Sequence, residues 1–370
     1  MKKTIYAISD VHGYCTEMKK ALDEAGFRAN DDACVLIVCG DCFDRGEENR
    51  EVFEFLNRIQ NKIMIKGNHE DMLGLLLEKK HMGRAGFSNG IDRTLVSFFG
   101  ESVLGELDIF YQFSYRLCFD GKEDTISALQ DFIGNTYDYF ETENYIFTHG
   151  WLPIGFDEDN RCFVRADVRH ADASDWKRAR FTEWYRAYAS GARVAGKTVV
   201  CGHRASRFAT LIDASRDPMD TSVFLSDGVA AIDGSTMQSR RVNVLVLEDE
   251  IPEAQTHGMS LRTEPFRRIE SGRKCVELRL CDEKRSRIRV GDRIVFTHEE
   301  NGEEKLEARV LGLHKYLNFD RAGEDFGIAA LGFDGDEESL GERMRAYYSD
   351  EEVERYGVLA IRIEVIRDDE

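Results

Sequence analysis

No run of about 18 apolar residues occurs anywhere in the 370 residues, so a membrane-spanning helix is excluded. The N-terminus also lacks an apolar core of roughly 7–15 residues with a small-residue cleavage site. Lys2-Lys3-Thr4 runs straight into Ile5-Tyr6-Ala7-Ile8, and no export signal is expected. The nine cysteines are odd in number and scattered. That suits free thiols in a reducing cytoplasm better than a disulfide framework. Cys39 and Cys42 form one Cys-x-x-Cys, but no second pair follows, so a zinc ribbon is not expected. Internal repeats and low-complexity tracts are missing. Positive charge is scarce: 50 Lys and Arg face 69 Asp and Glu, a net −19 that as a uniform field would repel nucleic acid. The field is uneven, however. From Arg262 to Arg293 eleven Lys/Arg stand against six Asp/Glu, a local excess of five.

What is present reads as two domains, since the chain is long for one. Short Val- and Ile-rich runs alternate with amphipathic segments through the first 250 residues. Strands are expected at Thr4–Ser9, Cys34–Cys39, Lys62–Lys66, Asn144–Thr148, Lys197–Cys201, Ala230–Ile232 and Arg241–Leu247. Helices are expected at Glu17–Ala25, Val52–Ile59 and Asp71–Leu77. This is an α/β pattern with polar residues just after the strands, where open α/β sheets place ligands. Residues 251–262 read as an acidic linker around Pro252 and Gly258. Beyond it, strand-like runs at Lys274–Leu280, Arg293–Thr297, Leu306–Leu313 and Val358–Val365 predict a mostly β domain over 263–370. Trp151 and Trp176 are expected in the core.

Five polar clusters follow the predicted strands: Asp10-Val11-His12-Gly13, Gly40-Asp41-Cys42-Phe43-Asp44-Arg45-Gly46, Gly67-Asn68-His69-Glu70, Thr148-His149-Gly150 and Gly202-His203. Each alone would pass for a turn or a helix cap. Together they supply what a pair of divalent metals needs. Hard carboxylates offset about four positive charges, and imidazoles suit borderline metals. The neighbouring glycines let the backbone turn sharply toward the ions.

These clusters, with the full Gly-Asp-x-x-Asp-Arg-Gly and Gly-Asn-His-Glu motifs, resemble the phosphoprotein phosphatase branch of the calcineurin-like metallophosphoesterases over roughly residues 4–248. The segment Phe87–Thr94 also resembles an Asn-Gly-Gly…Thr stretch of small bacterial members, among them serine/threonine phosphatases and symmetrical diadenosine tetraphosphatases. The resemblance implies a β-sandwich flanked by helices. It implies that Asp10 and His12 bind one metal, that Asp41 bridges two, and that Asn68, His149 and His203 complete the second site. A bridging hydroxide would attack phosphorus in line. Arg45 would hold phosphate oxygens, His69 would protonate the leaving oxygen, and Asp44 would orient His69. Lys66 stands where some relatives place a phosphate-binding Arg. A further such Arg is expected between His149 and His203. Arg165 is the first choice, with Arg169, Arg178 and Arg180 as rivals. Asn89 lies on the substrate-facing loop, where Asn-Gly-Ile replaces Asn-Gly-Gly. An Asp/His/Asn set accommodates manganese, iron, zinc or nickel without choosing among them, and manganese is the first expectation.

After the linker, Gly272-Arg273-Lys274-Cys275-Val276-Glu277-Leu278-Arg279 and Val290-Gly291-Asp292-Arg293 resemble an ASCH domain, a small barrel related to the PUA RNA-binding fold. Lys274, Glu277 and Arg279 would line its cleft. Strand periodicity puts 277 and 279 on one face and leaves 274 off it unless a bend intervenes. Some ASCH proteins hydrolyse modified cytidine with a Lys at the position of Lys274. Glu277 replaces their partnering Thr, so a second hydrolase activity is not expected. The family resemblance and the local basic excess together suggest RNA or nucleotide binding. The expectation is a cytoplasmic, metal-dependent phosphoesterase acting on a phosphoprotein, a nucleotide or an RNA-linked phosphate, with no membrane partner. A symmetrical dinucleoside tetraphosphatase is one alternative. An RNA-binding regulator with an inactive phosphatase scaffold is another.

Overall fold

The structure is a computed structural model, and it describes residues 2–108, 114–157, 162–165, 168, 171–335 and 339–367. It separates into two compact units. The first holds residues 1–152, 156–164 and 179–251, and the second holds 153–155, 165–178 and 252–370.

In the first unit the strands alternate faces with a period of two, and in the central strands both faces are buried. Strands β1 (Lys2–Ile8), β2 (Cys34–Cys39) and β3 (Lys62–Ile65) run parallel, in the order β1-β2-β3. The strand Leu245–Glu250 closes the free side of β1, antiparallel to it. Ile5, Ala7, Val35, Ile37 and Cys39 point one way. There they meet Phe147, Val200 and Ala230 of a second, five-stranded sheet built around Tyr145–Phe147, Thr198–Cys201 and Val229–Ala231. Tyr6, Ile8, Leu36 and Val38 point the other way, into helices. Those helices include α1 (Cys15–Glu24), α2 (Asn49–Asn57) and α3 (Asn68–Lys79). They begin up to three residues before their predicted starts, because capping and first-turn polar residues carry no hydrophobic period. Helices α4 (Arg84–Asn89) and α5 (Ile91–Phe99) were not foreseen, since short apolar runs carry weak periodicity.

The second unit is a curled half-barrel of five strands, ordered Thr256–Leu261, Arg293–His298, Lys305–Tyr316, Val358–Val365 and Val276–Leu280. A bulge between Val310 and Gly312 bends the longest strand. The predicted linker differs here. Residues 256–261 within it form a strand that pairs in parallel with Arg293–His298 from Thr256 to Leu261. Its polar composition hid the strand. Only Met259 and Leu261 of the six are buried, so the chain offered too few apolar positions to show a period. Both tryptophans expected inside are buried, Trp151 and Trp176 alike. No helix among the described residues is long and apolar enough to cross a membrane.

Candidate metal centre

The turns after β1 and β2 are zipped together by backbone bonds: Asp10 N–H to Gly40 O, His12 N–H to Asp41 O and Gly13 N–H to Cys42 O. Within the second sheet, Gly202 N–H donates to His149 O, joining the ends of two neighbouring strands. All six expected ligands meet in one cluster, five of them buried and His203 partly so. His12 Nε2 lies 3.8 Å from Asp10 Oδ1 and 3.7 Å from Asp41 Oδ2. His149 Nε2 lies 3.3 Å from Asp41 Oδ1 and 2.9 Å from Asn68 Oδ1. The His203 N–H donates to Asp10 Oδ2 at 2.9 Å, and its ligand atom lies within 4.8 Å of those of Asp41 and His149. His69 also comes within that distance of His12 and Asp41. Its two nitrogens are engaged elsewhere, however: Nδ1 is 2.6 Å from Asp44 Oδ2, and Nε2 is 3.1 Å from an Arg45 guanidinium nitrogen.

Nine non-glycine residues among those described have positive φ, and six of them are Asp10, His12, Asp41, Asp44, Arg45 and His203. Such backbone costs on the order of 1–3 kcal/mol per residue and persists only where the surroundings impose it. Buried Glu70 is one such constraint. Its carboxylate accepts from the N–H groups of Gly67, Asp41 and Cys42 at 2.8, 2.9 and 2.8 Å. Thr94 and Asn49 hold the next turn by accepting from Asp44 N–H at 2.9 and 2.8 Å. Sequence reasoning assigned no role to Glu70, although a Glu at the third residue of a helix is a capping signal.

The donor set fits divalent metal. His12 and His149 each donate through Nδ1 to a backbone carbonyl, of Phe43 and Cys39, which turns Nε2 toward the cluster. The buried Nε2 atoms of His12 and His203 have no hydrogen-bond partner. Burial raises the pKa values of Asp10, Asp44, Glu70 and Asp233, with Asp41 adding to the rise at each. Burial opposes the charge on His149, yet the Asp41 carboxylate outweighs it and holds the imidazole at about 10. His203 is pushed down to about 3 by burial and then by His149. Nearby cations would relieve such a crowd of buried carboxylates.

The remaining expected residues fall differently. Lys66 directly follows β3, its N–H bound to Tyr137 O. Asn89 turns its carboxamide back to Ala85 O at 2.8 Å on its own helix. It is the next residue, Gly90, that touches the cluster, through a 3.3 Å bond from Arg45 N–H to Gly90 O. Arg165 ends the strand Cys162–Arg165, but its side chain lies outside the described residues, as does all of Arg169. Arg178 pairs with Asp175. Arg180 is bound to Asp71 and Asp138.

In the second unit Lys274, Glu277 and Arg279 do come together. Glu277 is buried, with Lys274 Nζ at 2.8 Å and Arg279 Nη1 at 2.7 Å. Lys274 escapes the strand's alternation because it precedes it. Its N–H bonds to Arg268 O, and regular pairing starts at Val276.

The profile of the calcineurin-like phosphoesterases matches residues 3–204. The chain belongs to that family. The ASCH domain profile matches residues 259–367. This calcineurin-like phosphoesterase is 31% identical over 88 residues to a symmetrical bis(5'-nucleosyl)-tetraphosphatase of Buchnera aphidicola subsp. Baizongia pistaciae, covering 23% of this chain and 31% of that protein. It is 33% identical over 75 residues to the same-named protein of Wigglesworthia glossinidia brevipalpis, covering 20% and 27%. It thus spans under a third of the length of these curated relatives. Among solved structures, a Saccharomyces cerevisiae protein serine/threonine phosphatase is 12% identical, covering 68% of this chain and 81% of that one with a TM-score of 0.38.

Proposed function

We propose that this calcineurin-like phosphoesterase hydrolyses phosphate esters or anhydrides with two divalent metals, manganese foremost, and that its substrate is a nucleotide- or RNA-linked phosphate. The observation that carries the reading is the meeting of Asp10, His12, Asp41, Asn68, His149 and His203 beside the Asp44–His69–Arg45 chain. Asp10, His12 and Asp41 would hold one ion, and Asp41, Asn68, His149 and His203 the other. When bound, the ions would neutralise the carboxylates and acidify a water for in-line attack.

The chain's own groups supply the rest. Arg45 has a planar fork suited to two phosphate oxygens. Without substrate that fork rests on His69 Nε2. A phosphate that draws the guanidinium away leaves Nε2 able to carry the proton that the leaving oxygen takes up. Asp44, hydrogen-bonded to Nδ1, fixes the ring and favours its charged form. The products are inorganic or nucleotide-bound phosphate and a protonated leaving group.

The substrate assignment draws on the symmetrical bis-nucleosyl-tetraphosphatases among the relatives and on the basic stretch around Lys274 and Arg279. The test is turnover of p-nitrophenyl phosphate, phosphopeptides, dinucleoside tetraphosphate and phosphorylated RNA with added manganese. Asp41→Asn should abolish it, and His69→Asn should lower kcat by about 10²–10⁴. Preference for phosphopeptides would overturn the substrate class. Inactivity of the wild type on every substrate would leave an RNA-binding regulator instead.

A further inference from the structure

Asn68 and His149 follow strands of different sheets, yet their side chains meet at 2.9 Å. Arg180 is placed where their two supports join. Its side chain is buried, and it donates from Nε and Nη2 to both oxygens of Asp71, at 2.7 and 3.3 Å. Its Nη1 donates to Asp138 Oδ1 at 3.2 Å. Asp71 lies in the first turn of α3, which begins at Asn68. Asp138 follows Tyr137, whose N–H donates to Met64 O and whose carbonyl accepts from Lys66 N–H. That segment is therefore strapped to the end of β3, just before Asn68. The backbone of Arg180 meets the His149 side of the cluster. Trp151 N–H donates to Ala179 O at 3.0 Å. A Cβ on Gly150 would fall 2.6 Å from Arg180 O, so the chain there is in backbone contact with the residue after His149.

We infer that Arg180 is a positioning residue for the second metal site, setting Asn68 against His149 and so the affinity of that site for a divalent cation. The inference rests on the metal reading above. A phosphate clamp is the competing role, but Nε, Nη1 and Nη2 of this guanidinium all bond to carboxylates already. Lysine cannot substitute, because a point charge cannot span both Asp71 oxygens and Asp138 at once.

Calorimetric titration of manganese into metal-stripped full-length protein tests this. The wild type should bind two ions. Arg180→Lys should weaken one of them by about 10- to 100-fold and spare the other. Asp71→Asn should do the same. The double variant should be little weaker than the worse single one, because both act through one contact. Asp249→Asn is the control, since Asp249 is a buried carboxylate of the same unit that holds Thr142 and Asn144; it should lower Tm and leave both affinities alone. Arg180→Lys that lowers Tm without changing either affinity, or that weakens both ions equally, overturns the inference. If that variant does not fold, Asp71→Asn decides by the same criterion. A wild type that binds no manganese sinks the metal reading itself, and this inference with it.

Discussion

At the cluster, single side chains set the cost of the site and also offset it. Six of its residues hold left-handed backbone, and Glu70 answers with three bonds to backbone N–H groups. Hydrogen bonds to a charged group are each worth about 1.5–3 kcal/mol, enough to balance strain of on the order of 1–3 kcal/mol at neighbouring turns. Glu277 shows the same logic in the ASCH unit. Burial opposes its charge, but Lys274 and then Arg279 hold its carboxyl below the ordinary value of 4.5. A folded-state value below the unfolded one gives stability that is present above the unfolded value. That stability is lost as pH falls through the folded value. Unfolding of the full chain, followed from pH 7 down through 4.5 and below, should therefore show a loss that Glu277→Gln lacks. At pH 7 the same variant should cost about 3–5 kcal/mol, because it strands two cations. Equal acid profiles for the two proteins would refute the pairing as a stabilising contact.

Among the elements, the junction of α4 and α5 governs the Asp44–Arg45 turn. Gly90 separates the two helices with φ of +78°, and its carbonyl receives Arg45 N–H. A Cβ there would stand 2.6 Å from Arg45 N. Arg93 and Thr94, one turn on, bind Arg45 O and the Asp44 carboxylate. Gly90→Ala should cost ~1 kcal/mol or more of stability. It should also lower kcat/KM by up to about 10²-fold by displacing Arg45, while manganese binding stays intact. Unchanged kcat/KM would show that the turn is held by other contacts. The sequence revealed the segment Phe87–Thr94 and offered Asn89 for the substrate, but it gave no sign of the contact between Gly90 and Arg45. Motif reading points to the side chain, whereas here the neighbouring glycine's backbone makes the approach. Strand β2 was legible to the residue, because six consecutive buried positions leave no ambiguity. The strand Leu245–Glu250 begins four residues after the predicted start, since Val242 is buried outside the ladder and mimics strand composition.

Across the whole chain, the division into units departs from sequence order. Residues 165–178 group with the unit that holds 252–370. There Ala173 N–H donates to Tyr316 Oη, and Ser174 binds the Asp325 carboxylate. A fragment ending at residue 251 would leave those donors without their partners. Limited proteolysis of that fragment should cut near residues 171–178 much faster than in the full chain, and equal cutting rates would contradict the assignment.

The sequence by itself determined the two families, seven of the sandwich strands and the identities of the six clustered donors. Those follow from short motifs and period-two burial, which are local properties. Only the tertiary structure decided that Arg180 serves Asp71 and Asp138, that Glu70 holds the Asp41 turn, and that Lys274 joins Glu277 from outside the strand. The first two depend on residues far apart in the chain meeting at bond distance, and the third on where strand pairing begins, at Val276. A side chain's partner is set by the packing of the elements that carry it, and no spacing along the chain encodes it.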